Sequence, residues 1–269
     1  MADSLHAKDR REQALSLLAP QGRLRAAINY GNAALAQRHA GTGEPAGVSV
    51  ELARALADEL GTACELVGYD AAGKVTDALG QWDVAFLAID PVRAERVAFT
   101  PPYVRISASY LVRTESPLRA PEEVDAPGRR VAVGKGAAYD LHLTRSLRHA
   151  QIERRATAPE AFALLEAGEV DAAAGVRRVL RQYAQDRPHL RVMDGDFMAI
   201  DQALCVPCEA AARSAMGKAW LDDWVEEMKR MGFVADSLAR SGQTEAHVAP
   251  PMKAEAVRHK PSYGTETKK

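Results

Sequence analysis

The residues best able to do chemistry here are a pair of thiols and a few scattered acids and bases. Cys205-x-x-Cys208 has the spacing of a redox disulfide or of half a zinc site. The remaining cysteine, Cys64, stands far away, and no second pair completes a metal set. The flanking Ala203-Leu204-Cys205-Val206-Pro207 reads as a strand entering a turn, so a structural role is expected for both thiols. Gly134-Lys135-Gly136 invites a nucleotide reading, but the third glycine of a dinucleotide fingerprint would fall on Tyr139. Asp90, Tyr139 and His142 are candidates for proton transfer, yet none stands in a motif that specifies a reaction. Trp220 and Trp224 lie one helical turn apart, which core packing explains better than a binding stripe.

The chain has 269 residues, enough for two compact domains. It carries 35 basic and 36 acidic residues, a net charge of −1, so no basic excess points to nucleic acid or to an anionic membrane. No apolar run approaches the roughly 20 residues that span a bilayer. The start, Met1-Ala2-Asp3-Ser4-Leu5-His6, runs into Lys8, Asp9, Arg10, Arg11 and Glu12, and Ala14 to Ala19 is too short for the apolar core of a secretory leader. As written, the chain is expected in the cytoplasm, and in the periplasm where a leader has been removed.

Residues 1–22 read as a short amphipathic helix, and Arg23 to Asn29 (RLRAAIN) as a strand. Asn29 and Asn32 at the end of that strand suit hydrogen bonds to a polar ligand; a turn explains Asn32 equally well. Leu52, Leu56 and Leu60 mark one helical stripe, ended by Gly61. Cys64 to Tyr69 and the apolar Asp83 to Ile89 read as strands around a short helix at Val75 to Leu79. The alternation implies a parallel α/β sheet. It restarts with an extended Ile106 to Val112, a strand at Arg130 to Val133 and a helix at Ala138 to Leu147. Thr157-x-x-Glu160 predicts a capping box before another helix, and Val170 to Ala174 a strand. A strand at Ala203 to Val206 and a helix around Trp220 return the chain to its first unit, giving a double crossover that can act as a hinge. No repeat of fixed period occurs, and 248–269 reads as a mostly disordered tail.

The run Asp90-Pro91-Val92-Arg93-Ala94-Glu95-Arg96-Val97-Ala98-Phe99-Thr100-Pro101-Pro102-Tyr103 resembles the signature of the family 3 extracellular solute-binding proteins, the amino-acid-binding components of ABC importers. Gly47-Val48-Ser49-Val50-Glu51-Leu52-Ala53, Val131-Ala132-Val133-Gly134-Lys135-Gly136, Gly168-Glu169-Val170-Asp171-Ala172 and Met231-Gly232-Phe233 with Leu238-Ala239 add to the resemblance, which covers residues 23–245. It implies a type II periplasmic-binding-protein fold, with 23–105 plus 199–247 as lobe 1 and 106–198 as lobe 2. A monomer, a carboxylate-bearing small molecule between the lobes, an ABC permease as partner, and no metal or cofactor are expected with it.

The resemblance implies a cleft built from Asn29, Asn32, Ala72, Lys74, Ala88, Asp90, Arg93, Gly136, Ala137, Ala138, Tyr139 and Val176. Arg93 matches the arginine that forks onto the ligand carboxylate, for which a planar guanidinium is well shaped. Gly136-Ala137-Ala138-Tyr139 matches an anion-holding Gly-Thr-Thr loop at a helix start, with both hydroxyls missing. Val176, followed by Arg177 and Arg178, stands where the family carries an aspartate for the ligand ammonium. Asn32 and Leu35 replace common aromatics. So the ligand lacks an amino group, or another acid, Asp90 being nearest, takes the aspartate's place. Lys74 would suit a second anionic group, and a solvated surface lysine explains it as well. Two alternatives stand beside the binder: a lyase of the cyclohexadienyl dehydratase kind on the same fold, and a cytoplasmic ligand sensor.

Overall fold

The computed structural model describes residues 2–39 and 41–252, with side chains from Lys8 onward. Helix α1 (Ala2–Leu18) opens the chain, and strand β1 (Arg23–Asn29) follows with a buried centre. The Gly- and Ala-rich loop holds a small hairpin of β2 (Gln37–Arg38) and β3 (Pro45–Ala46). Helix α2 (Val48–Leu60) buries Leu52, Leu56 and Leu60, because residues four apart share a face. Strand β4 (Ala63–Tyr69), short helix α3 (Ala72–Asp77) and fully buried strand β5 (Val84–Ala88) complete the first α/β unit. The single-turn helix α4 (Pro91–Ala94) leads into β6 (Val97–Arg113), a strand of 17 residues.

The second unit comprises β7 (Arg130–Gly134), α5 (Ala138–Ser146), β8 (Gln151–Arg155), α6 (Ala158–Glu166) and β9 (Ala172–Val176). Helix α7 (Arg177–Ala184) and β10 (Leu190–Val192) precede the long return strand β11 (Met198–Pro207). Helices α8 (Cys208–Arg213), α9 (Ala215–Arg230) and α10 (Phe233–Arg240), then β12 (His247–Val248), finish the described chain. None of these helices is long and apolar enough to cross a membrane.

The main sheet runs β4-β1-β5-β11-β6-β9-β7-β8, with β10 and β12 also pairing to β6. Strand β1 is parallel to β4 and β5, and β7 is parallel to β8 and β9. Strands β6 and β11 join the two parallel triplets: they pair antiparallel with each other, β11 with β5, and β6 with β9. Their ladder shifts register on either side of Ala203, opposite Pro102. Proline has no N–H to give a ladder, so a bulge is needed there. The break lies alongside β5, at the first triplet's end of the β6–β11 crossing.

Helix α1 is stapled to the first half. It buries Ala14, Leu17 and Leu18, and a Cβ added at Gly217 of α9 would stand 2.6 Å from Gln13 O. The two helices therefore touch backbone to backbone. Leu221, Trp224, Val225 and Met228 of α9 face the core, and Trp220 packs partly buried against it, so the tryptophan pair is packing.

Besides shifted bounds, as for α3 (Ala72–Asp77 against the expected Val75 to Leu79) and β9 (Ala172–Val176 against Val170 to Ala174), some details differ from the sequence reading. Thr157 sits at the N-cap of α6 without a side-chain cap bond, and Glu160 Oε2 instead accepts from Ala156 N at 3.2 Å. Cys208 begins α8, so the strand carrying Cys205 enters a helix rather than a turn. Strand β6 starts at Val97, well before Ile106. The supposed tail is paired at its start: His247 and Val248 add a strand to β6, Ala249 N donates to Tyr103 O at 3.1 Å, and Lys229 Nζ reaches Pro250 O at 3.1 Å. Backbone pairing, invisible in a Pro- and Lys-rich composition, holds those residues. The rest of that segment, 253–269, lies outside the described residues.

Candidate functional site

The carboxyl ends of β1, β5, β7 and β9 point at a common crevice, the usual place for ligands in α/β sheets. One half contributes Asn29, Asn32, Leu35, Ser49, Ala72, Phe86, Ala88 and Arg93 to a cavity there. The other half contributes Gly134, Lys135, Ala137, Ala138, Tyr139, Ala158 and Val176, and the return strand adds Ile200 and Gln202. The cavity is partly open to solvent, and its volume is about 60 Å³, room for about five water-sized groups.

Arg93 is placed by its own short helix. Asp90 caps α4, its Oδ1 accepting from Val92 N at 2.9 Å, and Pro91 occupies the first turn, where a missing N–H costs nothing. This single turn returns the Arg93 side chain against the end of β5. There Nη1 donates to Ala88 O at 2.9 Å, while Nη2 donates across the crevice to Gly136 O at 2.8 Å. Arg93 is 4% exposed. Burial pulls its pKa below the ordinary value, and nearby Asp90 opposes that pull. Among the described residues, no carboxylate forms an ion pair with it. A buried cation bonded only to carbonyls is suited to receive an anion.

The facing loop is also fixed. Gly136 N donates to Asp140 Oδ2 at 2.8 Å, and Arg154 Nε holds the other oxygen of Asp140 at 3.0 Å. Gly136 has φ 71°, in the left-handed region, and a Cβ on it would stand 2.9 Å from Gly73 Cα. Glycine on both sides lets the two backbones meet at the rim.

Two expected cavity residues lie elsewhere. Lys74 is half exposed and pairs with Asp70 at 2.8 Å, one helical turn away. Asp90, 2% exposed, turns its carboxylate to Arg145 Nη2 of α5 at 2.7 Å, so its charge already has a partner. Gly136 bounds the site only through its carbonyl on Arg93. Asn29, Asn32, Ala72, Ala88, Arg93, Ala137, Ala138, Tyr139 and Val176 all line the cavity. Reading the sequence missed Gln202, whose one signal is a polar residue inside the apolar run of β11. It also missed the Asp90–Arg145 bridge, which joins the two halves over 55 residues.

The candidate acids and bases are poorly set for proton transfer. Burial pushes the Tyr139 phenol well above its usual range. Cys205 is fully buried and its thiol is pushed up to about 12. His142 is off the cavity wall, stacked 6.0 Å from Phe197 between ring centroids. Burial first, then Arg145, lowers its pKa from 6.5. A base depressed by folding binds its proton more readily when unfolded, so the stability it permits is full above 6.5 and falls as pH drops below. The melting temperature should therefore be lower at about pH 5.5 than at about pH 7.5. His142→Gln should narrow the gap; an equal fall in that variant would exclude His142 as its source.

The profile of the bacterial extracellular solute-binding proteins, family 3, matches residues 24–240. The chain belongs to this family. Its fold is that of the type II periplasmic binding proteins. A mutant of ArgBP from T. maritima superposes on this solute-binding protein with TM-score 0.72 at 20% identity, covering 85% of this chain and 99% of that one. A solute receptor for L-cysteine of Neisseria gonorrhoeae gives 0.71 at 22% identity, over 84% and 92%. An ancestral amino acid-binding protein, a precursor of cyclohexadienyl dehydratase, gives 0.68 at 24%, over 84% and 97%. No curated protein matches the chain.

Proposed function

We propose that this protein captures a small carboxylate-bearing metabolite, an amino acid or organic acid, between the two halves of its sheet and hands it to an ABC-type importer. The observation that carries the reading is Arg93, buried, bonded only to carbonyls and lining the cavity between the two halves. A ligand carboxylate supplies the missing opposite charge. The two halves act as lobes that hinge on β6 and β11 near the register break at Ala203. Arg93 on Gly136 and Arg145 on Asp90 bridge them when shut. The relatives whose names record arginine or L-cysteine binding support the ligand class.

Catalysis fits less well, although one relative is a precursor of a dehydratase. Among the described lining residues, the titratable groups besides Arg93 are a buried phenol pushed upward, the Asp70 carboxylate paired with Lys74, and an exposed Lys135. None is placed as a tuned acid or base. The protein acts as a monomeric binder, with no turnover.

The reading is tested by thermal unfolding against a panel of amino acids, dicarboxylates and aromatic acids. A ligand at 100 times its dissociation constant adds about 2.7 kcal/mol of stability. A shift confined to carboxylates is expected, and silence across the panel would sink the reading.

A further inference from the structure

Two amides in the cavity lack partners. Gln202 is 5% exposed and lines the wall, yet its side-chain amide makes no hydrogen bond to a described residue. Asn32 lines the same wall, and its Oδ1 is buried without a partner. Buried polar atoms in a native protein are nearly always satisfied, so Asn32 Oδ1 calls for a donor, and the Gln202 amide, without a side-chain bond at the same wall, can give and accept one more. Neighbouring Leu35, Phe86, Val176 and Ile200 offer neither.

Charge narrows the choice. Arg93 is the one buried charged side chain among the described lining residues. Asp90 is spent on Arg145, and Asp70 on Lys74 at the exposed rim. Lys135, also at the rim, is exposed and adds no negative charge. A ligand carrying a net charge of minus one brings the buried sum to zero. A zwitterion leaves the Arg93 charge uncompensated overall and adds an ammonium where the buried wall offers neutral amide and hydroxyl oxygens but no carboxylate of its own. Burying an ion without an opposite charge is far worse than burying a hydroxyl that finds an amide.

We infer that the cleft selects a small monocarboxylate whose second polar group is a neutral hydroxyl or amide, in preference to the matching amino acid. Arg93 takes the carboxylate, while Gln202 and Asn32 take the neutral group. This rests on the carboxylate reading of the cleft given above. A cavity of about 60 Å³ favours short skeletons.

The experiment is calorimetric titration of the full chain with matched triads that share a carbon skeleton: glycolate, glycine and acetate; L-lactate, L-alanine and propionate; 2-hydroxyisovalerate, L-valine and isovalerate. Oxamate and malonamate add the amide group. In the triad that binds best, the hydroxyl or amide acid should bind at least 10-fold tighter than its amino and unsubstituted partners. Gln202→Leu should remove that advantage, with the hydroxyl or amide acid losing at least 10-fold more affinity than the unsubstituted acid, a pattern that a folding defect does not give. Val176→Asp, which adds an opposite charge to the wall, should move the preference at least 10-fold toward the amino member. An amino acid that binds as tightly as its hydroxyl partner overturns the inference and leaves the carboxylate reading standing. Equal weakening of all three members by Gln202→Leu overturns the role of that amide. No binding by any member overturns the inference, while the carboxylate reading stands or falls on the wider panel described above.

Discussion

Arg93→Ala should abolish ligand-induced stabilisation and weaken binding at least about 100-fold. Truncating one partner of a buried, hydrogen-bonded charge pair costs about 2–5 kcal/mol, and about 1.4 kcal/mol is tenfold in affinity. Arg93 sits at the upper end of that range because water does not reach it: it is 4% exposed. The substitution also removes the bond to Gly136 O, one of the side-chain bridges that tie the halves together. Arg93→Met keeps most of the volume and separates charge from packing. Calorimetry with the best ligand of the panel measures the effect. Should both variants bind within a factor of three of the natural protein, Arg93 is not the carboxylate anchor. Arg93→Lys should recover little, since a point charge cannot give the two parallel bonds of a guanidinium.

Gly73→Val should leave the unliganded fold nearly as stable as before and lower ligand affinity at least about 30-fold. A Cβ on Gly73 would stand 2.8 Å from Lys135 O and 3.5 Å from Gly136 Cα. The clash is between backbones of opposite halves, so it arises only when they meet. Within α3 itself the change is mild, since glycine is already a poor helix former and valine is better by a few tenths of a kcal/mol at most, roughly. The variant thus acts as a wedge. Small-angle scattering should show the natural protein compacting with ligand and the variant not doing so. Compaction of the variant at natural affinity would show that the rims need not touch and would sink the closing motion proposed here.

Much of the fold was legible. Strand β1 is found over the very residues read from RLRAAIN, and α2 over its leucine stripe, because a strand or helix that packs one face must repeat its apolar residues with that period. Asp90-Pro91 also carries a local signal, an N-cap followed by proline, for the turn that aims Arg93, but the reading of the sequence did not use it. The length of β6 was not legible. It contains Thr100-Pro101-Pro102, a breaker by local rules, and stays a strand because it bulges against β11 there, carrying one extra residue at each register shift. The ordering of residues 248–252 was hidden for the same reason: pairing with β6 and the reach of Lys229 are contacts made at long range.

By itself, the sequence determined the alternating elements, the family and the arginine on which the functional reading turns, because each rests on neighbouring residues. Only the tertiary structure decided what surrounds that arginine. It sent Asp90 to Arg145 rather than to the cavity, put Lys74 on a surface pair with Asp70, and brought Gln202 beside Asn32 from 170 positions further along the chain. Side-chain partners in a crevice are chosen by which strand ends the sheet order brings together, and that order is set by burial summed over the whole chain rather than by any one segment.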